Sequence, residues 1–159
     1  PQKVARLVLV STTAGIDEKQ MRLTRIKDDE ELAARIERDG VEKFIDSWLD
    51  QPMFKGLSAE TNQRAIRLKN TAIGLSSSLR LCGAGRQQPT WSRLKELTMP
   101  VLVIAGANDD KYRGIAERLV SEIGDNAKLS IVANSGHTPH LERPDDFLNQ
   151  VTKFISSVK

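Results

Sequence analysis

Apolar positions along this chain fall into two kinds of pattern. Three short runs, within residues 4–10, 100–105 and 127–132, are rich in Val, Leu, Ile and Ala, the third carrying Lys128 and Ser130 as well. Runs of this kind predict parallel strands buried on both faces. Elsewhere the apolar residues recur at helical spacing. Asp28 is placed to cap a helix that carries Leu32 and Ile36 and ends near Gly40. Val41, Phe44, Ile45, Trp48 and Leu49 then form an amphipathic stripe stopped by Pro52. Ser58 can cap a third helix running toward Asn70, and Ile73 to Leu81 reads as a fourth. Residues 83–89 read as a loop and Trp91 to Leu97 as a short helix. Beyond Asp109 a helix turns Ile115, Leu119, Val120 and Ile123 inward and stops near Gly124. A last helix starts around Pro144, a residue suited to a first turn, and carries Phe147, Val151, Phe154 and Ile155.

The order of these elements predicts an α/β fold with three parallel strands and flanking helices. The expected sheet-forming core is 1–16 with 98–159. Residues 17–97 are too long for an ordinary connection and too organised for a loop, so they are expected to form a helical cap. Composition narrows the class. The 159 residues are 39% hydrophobic and 28% charged, with well-mixed charges summing to +3, which suits a globular protein and offers no clustered basic face for nucleic acid. One cysteine, Cys82, allows no internal disulfide, so the cytoplasm is the default compartment. No apolar run approaches the roughly 20 residues of a membrane span. A first residue Pro1, with a strand pattern close behind it, predicts a piece of a longer protein.

Two strand ends carry acid–base chemistry. In open α/β sheets ligands sit beyond the carboxyl ends of the strands. Asp109 follows the second run and His137 the third, so the fold can bring a carboxylate to an imidazole. The competing reading of Asp109 and Asp110 is that both simply open the next helix, where the helix dipole favours acids. Gly106 is expected to let the chain turn sharply off its strand. His140, three residues after His137, reads as a structural or pocket-lining residue. Metal binding is disfavoured, because Pro139 lies between the histidines, no cysteine pair exists, and a third ligand would have to come from Asp109 or Glu142. A nucleophile is missing: no Gly-x-Ser-x-Gly elbow occurs, Ser76 to Ser78 lie in a helical pattern, and Ser135 does not follow a strand as an elbow serine does. Cys82 reads as a small packed residue. Arg80, Arg86 and Trp48 could contact an anionic ligand, although solvated arginines and a core tryptophan are the plainer account.

The run Leu68-Lys-Asn-Thr71 with Gly74-Leu75-Ser-Ser-Ser-Leu79-Arg80, Gly83-Ala-Gly85-Arg86-Gln87, Trp91-Ser-Arg93-Leu94, Asp109-Asp-Lys111-Tyr112 and Gly136-His137-Thr-Pro-His140 resembles a known family. It is similar to the C-terminal part of the α/β-hydrolase fold, and more narrowly to the 2-succinyl-6-hydroxy-2,4-cyclohexadiene-1-carboxylate synthases of the menaquinone pathway. Tyr112 stands where that family usually has Phe, and Ala84 where it usually has Thr. The resemblance covers essentially the whole chain, but only the later half to two thirds of such an enzyme. It implies that Asp109 is the acid and His137 the base of a Ser–His–Asp triad whose serine lies upstream of residue 1. It also implies that Arg80 and Trp48 meet a small anionic carboxylate substrate. The implied reaction is elimination of pyruvate without metal or organic cofactor, a lyase step that these residues alone would not catalyse. Two alternatives stay open: a general ester or carbon–carbon-bond hydrolase of the same fold, and a non-catalytic binding protein without the nucleophile.

Overall fold

The computed structural model describes residues 1–157. They form two compact units, residues 1–14 with 90–157 and residues 15–89. The first unit holds a three-stranded parallel sheet in the order β1 (Leu7–Val10), β2 (Val101–Gly106), β3 (Ala127–Val132). Register is continuous, with Leu7 opposite Val101 and Val101 opposite Ala127.

Central β2 alone is buried at every position. Its Val101, Val103 and Ala105 pack with Ala116, Leu119 and Ile123 of α5 (Asp110–Ile123) and with Trp91, Leu94 and Met99. On the opposite face Leu102 and Ile104 meet Val132 and Phe154, the latter on α7 (Pro144–Ser157). Full burial of a side chain such as Leu119 stabilises by about 2 kcal/mol. The flanking strands differ from expectation. β1 begins at Leu7, leaving Val4 outside it and exposed, and β3 exposes Lys128 and Leu129. Both are edges, so neither is covered as the middle strand is. Ile155, one of the apolar residues at helical spacing on α7, is also exposed. A single turn, α6 (Pro139–Glu142), precedes α7.

The first junction falls at 14/15 and the second at 89/90, against 16/17 and 97/98 expected. Residues 90–97 belong with the sheet because Trp91 and Leu94 of their 3-10 turn enter its core.

The second unit is helical. α1 (Lys19–Asp39) is followed through Gly40 by α2 (Val41–Leu49), then by short α3 (Arg64–Arg67) and by α4 (Ala72–Cys82). α1 starts nine residues before the Asp28 cap that the sequence suggests. The acidic run 28–31 lies mid-helix instead, with Arg25 bonded to Asp29 and Lys27 beside Glu31. The helix expected from Ser58 reduces to α3. Ser58 and Thr61 close a local turn, and Gln63 then adopts a left-handed conformation that stops propagation. Thr71 caps α4 by accepting from the Gly74 N–H. Beyond α4, a β-carbon at position 85 would stand 2.7 Å from the Arg22 carbonyl, so Gly85 lets the loop lie against α1. Among the described residues no helix is long and apolar enough to cross a membrane.

Candidate active site

Both chemistry-bearing loops of the first unit leave the sheet at the same end. β2 runs into residues 107–109 and β3 into 133–138. They are drawn together by backbone. Ala107 N–H donates to the Val132 carbonyl, and Asn108 N–H donates to that of Ser135, each at 2.9 Å. Gly106 is required for this approach. A β-carbon there would stand 2.0 Å from the Gly136 oxygen and 2.4 Å from that of Ser135. Its φ is not positive. The chain does turn off the strand here, with Asp109 N–H donating to the Gly106 carbonyl at 3.2 Å, but the glycine is required by the contact between loops and not by backbone freedom.

Asp109 serves two partners at once. Its Oδ1 accepts from the Tyr112 N–H at 3.2 Å, capping α5, and its Oδ2 lies 2.7 Å from Nδ1 of His137. The helix-opening and imidazole-holding readings are thus both satisfied by one carboxylate. Its side chain is 12% exposed and that of His137 17%, so solvent competes little for the bond. The Tyr112 ring packs on the imidazole with centroids 4.5 Å apart. Arg113 donates from Nη1 to the Ala107 carbonyl, fixing the Asp109 loop from within α5. With Nδ1–H directed at the carboxylate, Nε2 of His137 carries the lone pair and can act as a base.

The sequence offers Glu142 only as a third metal ligand beside the histidines, whereas its carboxylate receives three hydrogen bonds from the two neighbours of His137. A glutamate five residues beyond a histidine carries no periodic signal, so only the folded loop reveals it. Ser135 is fully buried and donates to the Val132 carbonyl, so its hydroxyl is not free for chemistry. His140 is exposed, its ring against Phe147.

This set of loop contacts on a doubly covered parallel sheet accords with the model of one known family, described as the alpha/beta hydrolase family, which matches residues 2–150. The chain belongs to the alpha/beta hydrolase family. Among its relatives within that family, a Bacillus subtilis (strain 168) protein provisionally named 2-succinyl-6-hydroxy-2,4-cyclohexadiene-1-carboxylate synthase is 37% identical across 99% of this chain. A synthase of the same name from Serratia proteamaculans (strain 568) is 26% identical across 98% of it. The chain spans 59% of the length of each. The solved structure of MenH from S. aureus superposes with a TM-score of 0.93 at 31% identity, covering 97% of this chain and 59% of that one. An esterase from Thermogutta terrifontis shares the alpha/beta hydrolase fold at a TM-score of 0.79 and 18% identity, over 96% of this chain and 56% of its own.

The other candidate residues lie in the helical unit, each with its own surroundings. Arg80 is engaged by two carboxylates. Its Nε donates to Glu30 at 2.9 Å, while Nη1 and Nη2 donate to Glu37 at 2.5 and 3.1 Å. Ser76 donates to the same Glu37. Arg80 first and then Ser76 hold the Glu37 carboxyl at about 2, while Glu37 and then Glu30 push the Arg80 guanidinium upward. Trp48 stands between Phe44 and Phe54, with ring centroids 5.6 and 6.0 Å away. It lines a cavity of about 460 Å³ between α1 and α2. Arg86 is exposed, and its charge helps to lower the Glu30 carboxyl, after the larger effect of Arg80. Cys82 is exposed at the end of α4, which corrects the expectation of a packed residue. No group of three metal-ligating side chains occurs among the described residues.

Proposed function

We propose that this chain is the later part of a lyase of menaquinone biosynthesis. The enzyme removes pyruvate from a cyclohexene dicarboxylate to give 2-succinyl-6-hydroxy-2,4-cyclohexadiene-1-carboxylate. Asp109 and His137 are two members of a Ser–His–Asp triad, with the serine in sequence preceding residue 1. One observation carries the reading: the 2.7 Å contact between Asp109 Oδ2 and His137 Nδ1. The carboxylate holds one tautomer and stabilises the imidazolium when Nε2 takes a proton from the serine hydroxyl. The activated serine then removes a ring proton, the carbon–oxygen bond breaks, and the leaving enolate becomes pyruvate on protonation. No metal or organic cofactor enters this sequence of steps.

The lyase reading is favoured over ester hydrolysis by the synthase relatives at 37% and 26% identity, against 18% for the esterase. The substrate in this reading is a small anion bearing several carboxylates. Arg86 and Trp48 are proposed as binding groups. Arg80 already has its guanidinium engaged by Glu30 and Glu37, so it enters the proposal chiefly as a tie between α1 and α4.

The test is a coupled assay for pyruvate on the full-length enzyme that contains these residues. Pyruvate release is expected, and His137→Ala should lower kcat by about 10³-fold or more. The 159-residue chain alone should show no turnover. Cleavage of simple esters by the full enzyme with no pyruvate formed would instead establish the hydrolase.

A further inference from the structure

The loop that carries His137 is closed on itself by a residue with no contact to the imidazole. Glu142 Oε2 accepts from the Gly136 N–H at 2.7 Å. Its Oε1 accepts from both the N–H and the hydroxyl of Thr138, each at 3.0 Å. All three donors belong to the residues on either side of His137. The return path is also bonded, since the Thr138 carbonyl accepts from the N–H groups of Leu141 and Glu142. Pro139, at the start of α6, is fully buried and anchors that turn. On the far side of the loop, the Ser135 carbonyl is held by Asn108 of the Asp109 loop.

We propose that Glu142 is a positioning residue for His137: it sets the direction in which the imidazole leaves the backbone, and so its reach to Asp109. This rests on the reading of His137 as a base. Three donors converge on one group, and a carboxylate, which only accepts, is suited to receive them. A glutamine keeps the shape but offers one accepting oxygen and one amino group, so either Gly136 or Thr138 faces a donor. An aspartate is one methylene too short to span both neighbours. Hydrogen bonds to a charged acceptor are stronger than neutral ones, so losing them loosens the loop appreciably.

The experiment is NMR on the histidine-labelled full-length enzyme that contains these residues, reading solvent exchange of the His137 Nδ1–H. The signal lost in His137→Gln assigns it. Glu142→Ala should speed this exchange by about tenfold or more, and Glu142→Gln by a smaller factor. Amide exchange in β2 should stay unchanged, which a general loss of structure would not allow. Unaltered Nδ1–H exchange in both variants overturns the proposal. If Glu142→Ala fails to fold, Glu142→Gln decides alone. Asp109→Asn separates the two readings. If it leaves the proton as protected as before, the imidazole–carboxylate pairing falls and the positioning role falls with it. If it frees the proton while the Glu142 variants do not, only the positioning role is wrong.

Discussion

Asp109 caps a helix and orients an imidazole with the two oxygens of one carboxylate, and what makes this possible is the missing side chain at Gly106. Alanine there would drive a methyl group into two carbonyl oxygens of the facing loop, and backbone must move to relieve it. Overpacking of this kind costs about 1–3 kcal/mol. Gly106→Ala is therefore expected to lower stability by that amount in urea unfolding and to separate His137 from Asp109. A variant with an unchanged midpoint and an intact pair would show that the loops tolerate more space than the geometry allows. The pairing of Asp109 with His137 is legible in sequence, because buried apolar runs end at recognisable places and these two residues follow them. Gly106 stands at a turn, as expected, but sequence does not say that it also admits a neighbouring loop. The part Glu142 plays in the loop leaves no mark in sequence, because two of its three partners are backbone N–H groups, which every residue but proline possesses.

Among the elements, those with one strong apolar face matched their patterns. α2 and α5 end where Leu49 and Gly124 predict. α1 did not, because its first half exposes Met21 and Leu23 and shows no stripe. Its acidic run imitates a helix start, yet the charges are used sideways, toward Arg25 within the helix and toward Arg80 on α4. The α1–α4 contact thus depends on ionised carboxylates, which gives it a pH signature. Glu37 is held at about 2, chiefly by Arg80 and then by Ser76, against an ordinary value of 4.5. A depressed carboxylate contributes stability that is present above the unfolded value and lost as pH falls through the folded one. The helical unit should therefore lose this contribution between about pH 4.5 and pH 2. Glu30, Asp39 and Asp46 are lowered as well, so acid sensitivity is shared. The informative quantity is a difference. By circular dichroism, Glu37→Gln should show a shallower fall in Tm over that window than the unsubstituted chain. Equal slopes would mean that the Arg80 bridge contributes nothing to stability in solution, as many exposed pairs do.

At the scale of the molecule, the sheet of the first unit has one protected strand and two edges. β1 bonds to β2 through the N–H groups of Leu7 and Ser11, which donate to Pro100 and Ile104. In a parallel pair the alternate donors, at Val8 and Val10, point the other way. No strand among the described residues receives them. Beside this edge lies a cavity of about 370 Å³ lined by Val4, Leu7, Leu9, Leu97 and Met99 among others. An unpaired edge next to apolar surface is a template for pairing with another chain. The 159-residue polypeptide is therefore expected to self-associate with rising concentration in sedimentation velocity. Proline is tolerated on an edge strand where its missing N–H faces outward. Val8→Pro should thus weaken association while leaving the His137–Asp109 resonance in place. A chain that stays monomeric up to about 100 μM, the range in which exposed edges ordinarily aggregate, would show that the edge is shielded. Association untouched by Val8→Pro would move the contact to another face, β3 with its exposed Leu129 being the next to test.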